Sequence, residues 1–167
     1  MNNIRRGIEK QLALFEELLA EGGNNLDVRV PSVSGWTPAE HLDHLLKVCS
    51  TTFQLVDRNE EVEGKGVSTV GRVVLLLGLI PRGRARSPSA VAGQKAEREE
   101  LARRLSDLHT LAAKMFLNES ALSSPKRVFV HPIFRSLTAA QALRFCEVHN
   151  SHHLRIIRDV MQASRSQ

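Results

Sequence analysis

Four stretches of the chain repeat apolar residues at helical spacing. Ile4, Ile8, Leu12, Phe15, Leu18 and Leu19 share one face of a first helix, which stops at Gly22-Gly23. A polar loop through Pro31 leads to Gly35-Trp36, and a second helix opens with Thr37-Pro38-Ala39-Glu40. There the threonine can cap, the proline takes the first helical position and the glutamate closes a capping box. Its stripe of Leu42, Leu45, Leu46, Cys49, Phe53 and Val56, widened on one side by Val48 and Leu55, predicts a helix to about Arg58. Leu101, Leu105, Leu108, Ala112 and Met115 mark a third helix that runs into Asn118, and Pro125 ends that region. A second capping box, Thr138-Ala139-Ala140-Gln141, opens a fourth helix that continues to about Ala163.

Four such helices predict an all-α fold, a four-helix bundle forming a single domain over residues 1–167. The connection from Asn59 to about Ser89 is far longer than the 2–8 residues usual between bundle helices. It can cross the bundle and let the second and third helices run parallel. Its apolar run from Val73 to Ile80, interrupted by Gly78 and stopped by Pro81, can add a short helix but falls well short of the ~20 residues of a membrane span. Gly66 and Gly71 have the spacing of a phosphate-binding loop, yet Arg72-Val73 follow where Lys and Ser or Thr are required, and no strand precedes them.

Composition adds less than pattern does. A chain of 167 residues, 42% hydrophobic, needs neither disulfide nor metal merely to fold. Its net charge of +5 suggests an anionic partner until the charges are placed. Residues 62–96 hold six bases (Lys65, Arg72, Arg82, Arg84, Arg86, Lys95) and one acid, Glu63, which leaves 17 of each sign elsewhere. The excess is confined to the crossover, which argues against nucleic acid and membrane as partners. Beside that basic strip, the apolar run is as easily a contact between two copies as a cover over the bundle. Cys49 and Cys146 lie far apart with no CxxC-type spacing, and the charged first twenty residues lack the apolar stretch of a signal peptide. Both features predict a cytoplasmic protein, in which the sequon Asn118-Glu119-Ser120 carries no meaning.

Seven histidines are the more informative number. His149 and His153, four residues apart, sit at the middle of the apolar face formed by Ala142, Phe145, Cys146, Ile156, Ile157 and Val160. Both rings leave the same side of the helix and can converge on one ion, or be satisfied as core histidines by hydrogen bonds or buried water. The second helix supplies the missing donors, His41 and His44. His41 borders the main stripe, while His44 falls further round towards Val48 and Leu55, so periodicity favours His41 as the more buried ring.

Gly35-Trp36-Thr37-Pro38-Ala39-Glu40-His41-Leu42-Asp43-His44-Leu45 resembles the helix-two signature of the DinB-like superfamily, in which a histidine commonly follows the tryptophan by eight places. The stretches His131-Pro132-Ile133-Phe134, Leu143-Arg144-Phe145 and His149-Asn150-Ser151-His152-His153-Leu154-Arg155 are similar to the segment that opens and fills its last helix. The resemblance implies a bundle whose first two helices are antiparallel and whose second and third are parallel. It also implies a divalent metal, nickel or zinc, held by three histidines that map to His44, His149 and His153. Relatives are often homodimers, and those with a known reaction include transferases and isomerases that use low-molecular-weight thiols. The chain departs from the pattern at Ile156, where glutamine is frequent, at Arg135, where glycine is usual, and at Ala142, often a tryptophan.

Three neutral imidazoles suit zinc, nickel, copper or iron and leave a coordination position open. There a metal lowers the pKa of bound water or holds a thiol as thiolate, which fits a thiol transferase or a hydrolase. The alternative is a non-catalytic metal-binding or structural bundle that acts through dimerisation. His131, in the loop before the fourth helix, is a candidate proton donor over the open position. His152 lies at the edge of the helical face, and His109 is expected to be exposed. Cys146, three residues before His149, poses a Cys/His nucleophile pair, although its apolar setting favours an inert thiol, and Cys49 faces the core.

Overall fold

A computed structural model describes residues 1–83 and 88–165. Its helices are α1 (Asn2–Glu21), α2 (Pro38–Arg58), α3 (Thr69–Leu77), α4 (Arg98–Leu117), α5 (Glu119–Leu122) and α6 (Ala139–Ser164), with strands β1 (Arg127–His131) and β2 (Arg135–Thr138) before α6. The four long helices are those expected from the pattern. Both capping boxes form: the Glu40 amide donates to Thr37 Oγ1 and the Thr37 amide to Glu40 Oε2, and Thr138 and Gln141 repeat the exchange. Asn59, in the left-handed region at φ 52°, ends α2. The predicted stripe of α4 is wholly buried, and α1 buries Ile8, Leu12, Phe15 and Leu19 while Ile4 and Leu18 pack at its edge.

Cross-helix contacts fix the directions. The Arg98 guanidinium at the start of α4 donates to the Ala20 carbonyl at the end of α1, and Arg5 lies over Phe116 at the other end, so α1 and α4 are antiparallel. Asp43 pairs with Arg104 near the starts of α2 and α4, and Asp57 with Lys114 near their ends, so these two are parallel. Around the bundle the order is α1, α4, α2, α6, with α1 diagonal to α2. The first two helices therefore run antiparallel, and the long crossover lets the second and third long helices run parallel, as expected.

Besides the short α5, the crossover and the segment before α6 differ from the sequence reading. The crossover helix begins at Thr69, four residues before the apolar run, because Ser68 caps it through the Gly71 amide, and it stops at Gly78, which takes φ 67°. The segment before α6 is not a loop but a hairpin, with Phe129 opposite Leu137 and His131 opposite Arg135. The crossover is tied to this hairpin: the Val62 amide donates to Arg127, Ser136 to Lys65, and Ser68 to Phe134.

α3 lies on α6, where the Arg144 guanidinium donates to the Leu75 carbonyl. Its outer face stays apolar and open, with Leu76 81% and Leu77 64% exposed. Arg82 pairs with Asp159, whereas Arg84 and Arg86 of the basic strip lie outside the described residues. Among the described residues no helix is long and apolar enough to cross a membrane.

Candidate metal centre

Antiparallel α2 and α6 set His41 and His44 of one against His149 and His153 of the other. His44, His149 and His153 each bring a ring nitrogen to within 4.8 Å of the others. Nε2 of His44 lies 3.1 Å from Nε2 of His149. Two nitrogens bound at about 2.0–2.1 Å to one tetrahedral ion would stand roughly 3.3 Å apart. The His153 ring completes the group, 4.7 Å from that of His44 and 4.6 Å from that of His149. The indole of Trp36 closes one side, tilted on His44 at 5.3 Å and stacked on His153 at 6.3 Å.

The outer nitrogens of two of these rings have partners. His44 donates from Nδ1 to the Val91 carbonyl at 2.5 Å, which leaves Nε2 free of its proton. Val91 belongs to a strap, residues 89–94, held on α2 by the Gln94 amide donating to Asp43 Oδ2 at 2.9 Å and by Lys47 donating to the Ala92 carbonyl at 3.2 Å. Asp43, 2% exposed, also pairs with Lys47 and Arg104. Burial alone would raise its carboxyl, but the hydrogen bonds from Lys47 and Arg104 hold it below the usual range. His153 meets His41 at 2.8 Å between their Nδ1 atoms. Nδ1 of His149, by contrast, is buried and has no hydrogen-bond partner among the described residues. That outer nitrogen, buried and unmet, fits an ordered water, whereas the inward Nε2 atoms of His44 and His149 face each other as two ligands of one ion would.

Burial presses these rings below the ordinary histidine range. His41 is lowered to about 4 by burial and by the charges of His44 and His152, and His44, His149 and His153 move the same way, with burial the largest cause. All are neutral at pH 7, the state a metal ligand requires. Neutral imidazole nitrogens are donors for a borderline ion such as nickel or zinc.

A sequence profile of the DinB superfamily matches residues 5–157. The chain belongs to the DinB superfamily. No curated protein and no solved structure matches it. The matched span includes both histidine-bearing helices, so the trio lies within the DinB-superfamily part of the chain.

The other expected residues of this DinB-superfamily protein fall outside the trio. Periodicity ranks His41 above His44 in burial, yet both are almost fully buried, at 3% and 2% exposed, because the strap and Trp36 cover the side of α2 that its own pattern leaves polar. His131 ends β1. Its Nδ1 accepts from the Ile133 and Phe134 amides at 3.1 Å each, and its ring packs on Phe145, which in turn packs on His149. His152 donates to the Ile80 carbonyl of the crossover, and His109 is half-exposed, 3.0 Å from Glu16. Ile156 packs against Val30 in a small apolar cluster.

Cys146 does not face His149 as a nucleophile. Its sulfur lies 3.2 Å from Cys49, and that contact together with complete burial pushes the thiol up, away from thiolate. Beside the two thiols runs a buried polar network not anticipated from the chain. Asn150 donates to Gln11 Oε1 at 3.0 Å, and Gln11 donates to the Glu147 carbonyl and to Ser151 Oγ. Its signal was there to be read: Gln11 and Asn150 are amides placed inside apolar stripes.

Proposed function

We propose that this DinB-superfamily protein holds a divalent transition metal, nickel or zinc, on His44, His149 and His153 and uses it in a transferase or hydrolase reaction on a small molecule, a low-molecular-weight thiol fitting best. One observation carries the reading: three neutral imidazoles from two helices converge under Trp36, and His44 has its outer nitrogen anchored by a backbone carbonyl. A metal bound by three protein ligands keeps a position at which a thiol becomes thiolate or water becomes a nucleophile near neutral pH. The chain's own groups do the rest. Trp36 excludes solvent on one side, the strap fixes His44, and His131, with Nδ1 committed as an acceptor, keeps its proton on Nε2 as the candidate donor.

Elemental analysis of protein purified without a histidine tag, beside His44→Ala and His149→Ala, tests the site. Stoichiometric metal in the wild type and its loss in both variants is expected. Wild type that takes up no nickel or zinc, or variants equal to it in metal content and Tm, refutes the reading. Substitution by cobalt then tests the substrate class, since an added thiol that binds there produces a sulfur-to-metal charge-transfer band.

A second reading, a non-catalytic metal-binding bundle acting as a homodimer, is favoured by the open apolar face of α3, where Val70, Val73, Leu76 and Leu77 are all at least half exposed. Light scattering separates the possibilities: a dimer that Leu76→Ser and Leu77→Ser dissociate supports that surface, and a monomer at all concentrations rejects it.

A further inference from the structure

His41 is the one histidine of α2 that makes no contribution to the trio, yet it occupies the most constrained position beside it. Its Nδ1 stands 2.8 Å from Nδ1 of His153, and its Nε2 stands 2.9 Å from Ser34 Oγ. Ser34 Oγ also accepts the Trp36 amide at 3.0 Å, which pins the hydroxyl between the tryptophan loop and the ring. Two neutral imidazoles facing each other Nδ1 to Nδ1 share one proton, so one ring donates and the other accepts. Only two arrangements satisfy both contacts of the His41 ring. In the first, His153 donates Nδ1–H to His41, and His41 donates Nε2–H to Ser34; Nε2 of His153 is then bare. In the second, Ser34 donates its O–H to Nε2 of His41, and His41 donates Nδ1–H to His153; the proton of His153 then sits on Nε2. Each ring carries one proton in both, and no charge changes.

Resting on the reading of the trio as a metal site, we propose that Ser34 and His41 form a tautomer relay that sets whether His153 can act as a ligand. His41 is a positioning residue: only when it accepts from His153 and passes its own proton to Ser34 is the inward nitrogen of His153 available. The relay gives His153 what the Val91 carbonyl gives His44, a fixed outer partner, but through a group that can take either role. Because Ser34 lies two residues before Trp36, the relay also joins the third ligand to the loop whose indole stacks on it.

The test uses the whole protein and two readouts other than activity. Trp36 is the only tryptophan, so quenching of its fluorescence by nickel, in competition with a chelator, reports affinity. His41→Phe keeps a ring and removes the acceptor, and its nickel affinity is expected to fall about 10- to 100-fold. His41→Asn restores an acceptor near Nδ1 and is expected to recover most of it, while Ser34→Ala falls between the two. Nitrogen-15 spectra of the zinc-loaded and metal-free proteins read the tautomer of His153 directly: Nδ1–H is expected with zinc, and a changed mixture in metal-free His41→Phe. Circular dichroism melts confirm that each variant is folded. Affinity in His41→Phe equal to wild type, or an unprotonated Nδ1 on His153 with zinc bound, overturns the relay and leaves the metal site standing. Wild type that binds neither metal overturns the site reading; the relay is then judged on the metal-free spectra, and a His153 tautomer that His41→Phe does not alter overturns it as well.

Discussion

Gly93→Ala is expected to loosen the metal centre from a position that touches no ligand. A Cβ at Gly93 would lie 2.8 Å from the Glu40 carbonyl carbon, closer still to its oxygen, and 3.3 Å from Cε3 of Trp36. The obstacle is the backbone of the first turn of α2, which cannot rotate aside. Since carbon atoms rest at 3.5–4.0 Å, the strap has to withdraw by roughly 1 Å. It would carry with it the Val91 carbonyl that holds His44, the Ala92 carbonyl bonded to Lys47 and the Gln94 amide bonded to Asp43. Three hydrogen bonds at about 1 kcal/mol each put the loss near 2–3 kcal/mol, which for a domain of this size lowers Tm by about 4–12 °C. Freeing the outer nitrogen of His44 is expected to weaken metal about 10- to 100-fold. Thermal melting and zinc titration against a chelator measure the two effects. Gly66→Ala, where a Cβ would meet only an arginine nitrogen at 3.8 Å, is the neutral control. If Gly93→Ala matches it in both Tm and zinc affinity, the strap does not position His44.

Three further outcomes are open to measurement. Asp43→Asn leaves Lys47 and Arg104 without their shared anion, and because both cations are partly solvated the cost is expected at about 2–3 kcal/mol, below the 3–5 kcal/mol of a fully buried pair, read by urea unfolding. His41 and His131 are lowered to about 4 by burial, so the unfolded chain, at about 6.5, takes up protons first. Stability is therefore complete above pH 6.5 and is lost as pH falls from 6.5 towards 4, by at most about 1.4 kcal/mol per pH unit for each ring; flat urea midpoints between pH 7 and 5 would contradict this. Arg135 holds φ 66° at the end of the hairpin turn, so Arg135→Gly is expected to stabilise the fold by about 0.5–1 kcal/mol, and a lowered Tm would show that its side chain matters more than its backbone.

What could be read from the chain was what depends on neighbours in sequence. The capping boxes at Thr37 and Thr138 involve residues three apart, and the His149/His153 pair is four apart on one face, so all three are legible without any knowledge of packing. The hairpin was harder for a reason visible in its register. An irregularity between Arg127 and Phe129 puts two consecutive residues, Val128 and Phe129, into the core, and a five-residue strand with its alternation broken reads as a loop. The turn it encloses puts Arg135 at φ 66°, the left-handed region that favours glycine.

The site itself divides along the same line. Which residues bear the chemistry is local, but which of their nitrogens are free is not. His44 looks peripheral on the wheel of α2 because the cover on that side arrives from Val91, 47 residues further on, and from an indole in the preceding loop. Likewise nothing within α6 fixes the proton of His153; its partner His41 is 112 residues away and is itself held by Ser34. A histidine's capacity to bind metal depends on the hydrogen bond its other nitrogen makes. For His44 that bond comes from the strap, and for His153 from His41, itself held by Ser34 of the loop before α2; strap and loop are parts of the chain without helical periodicity. Substitutions in these two segments, Gly93→Ala in one and Ser34→Ala in the other, should therefore alter metal affinity without removing any ligand, while changes of equal size on the outer faces of α1 and α4 should not.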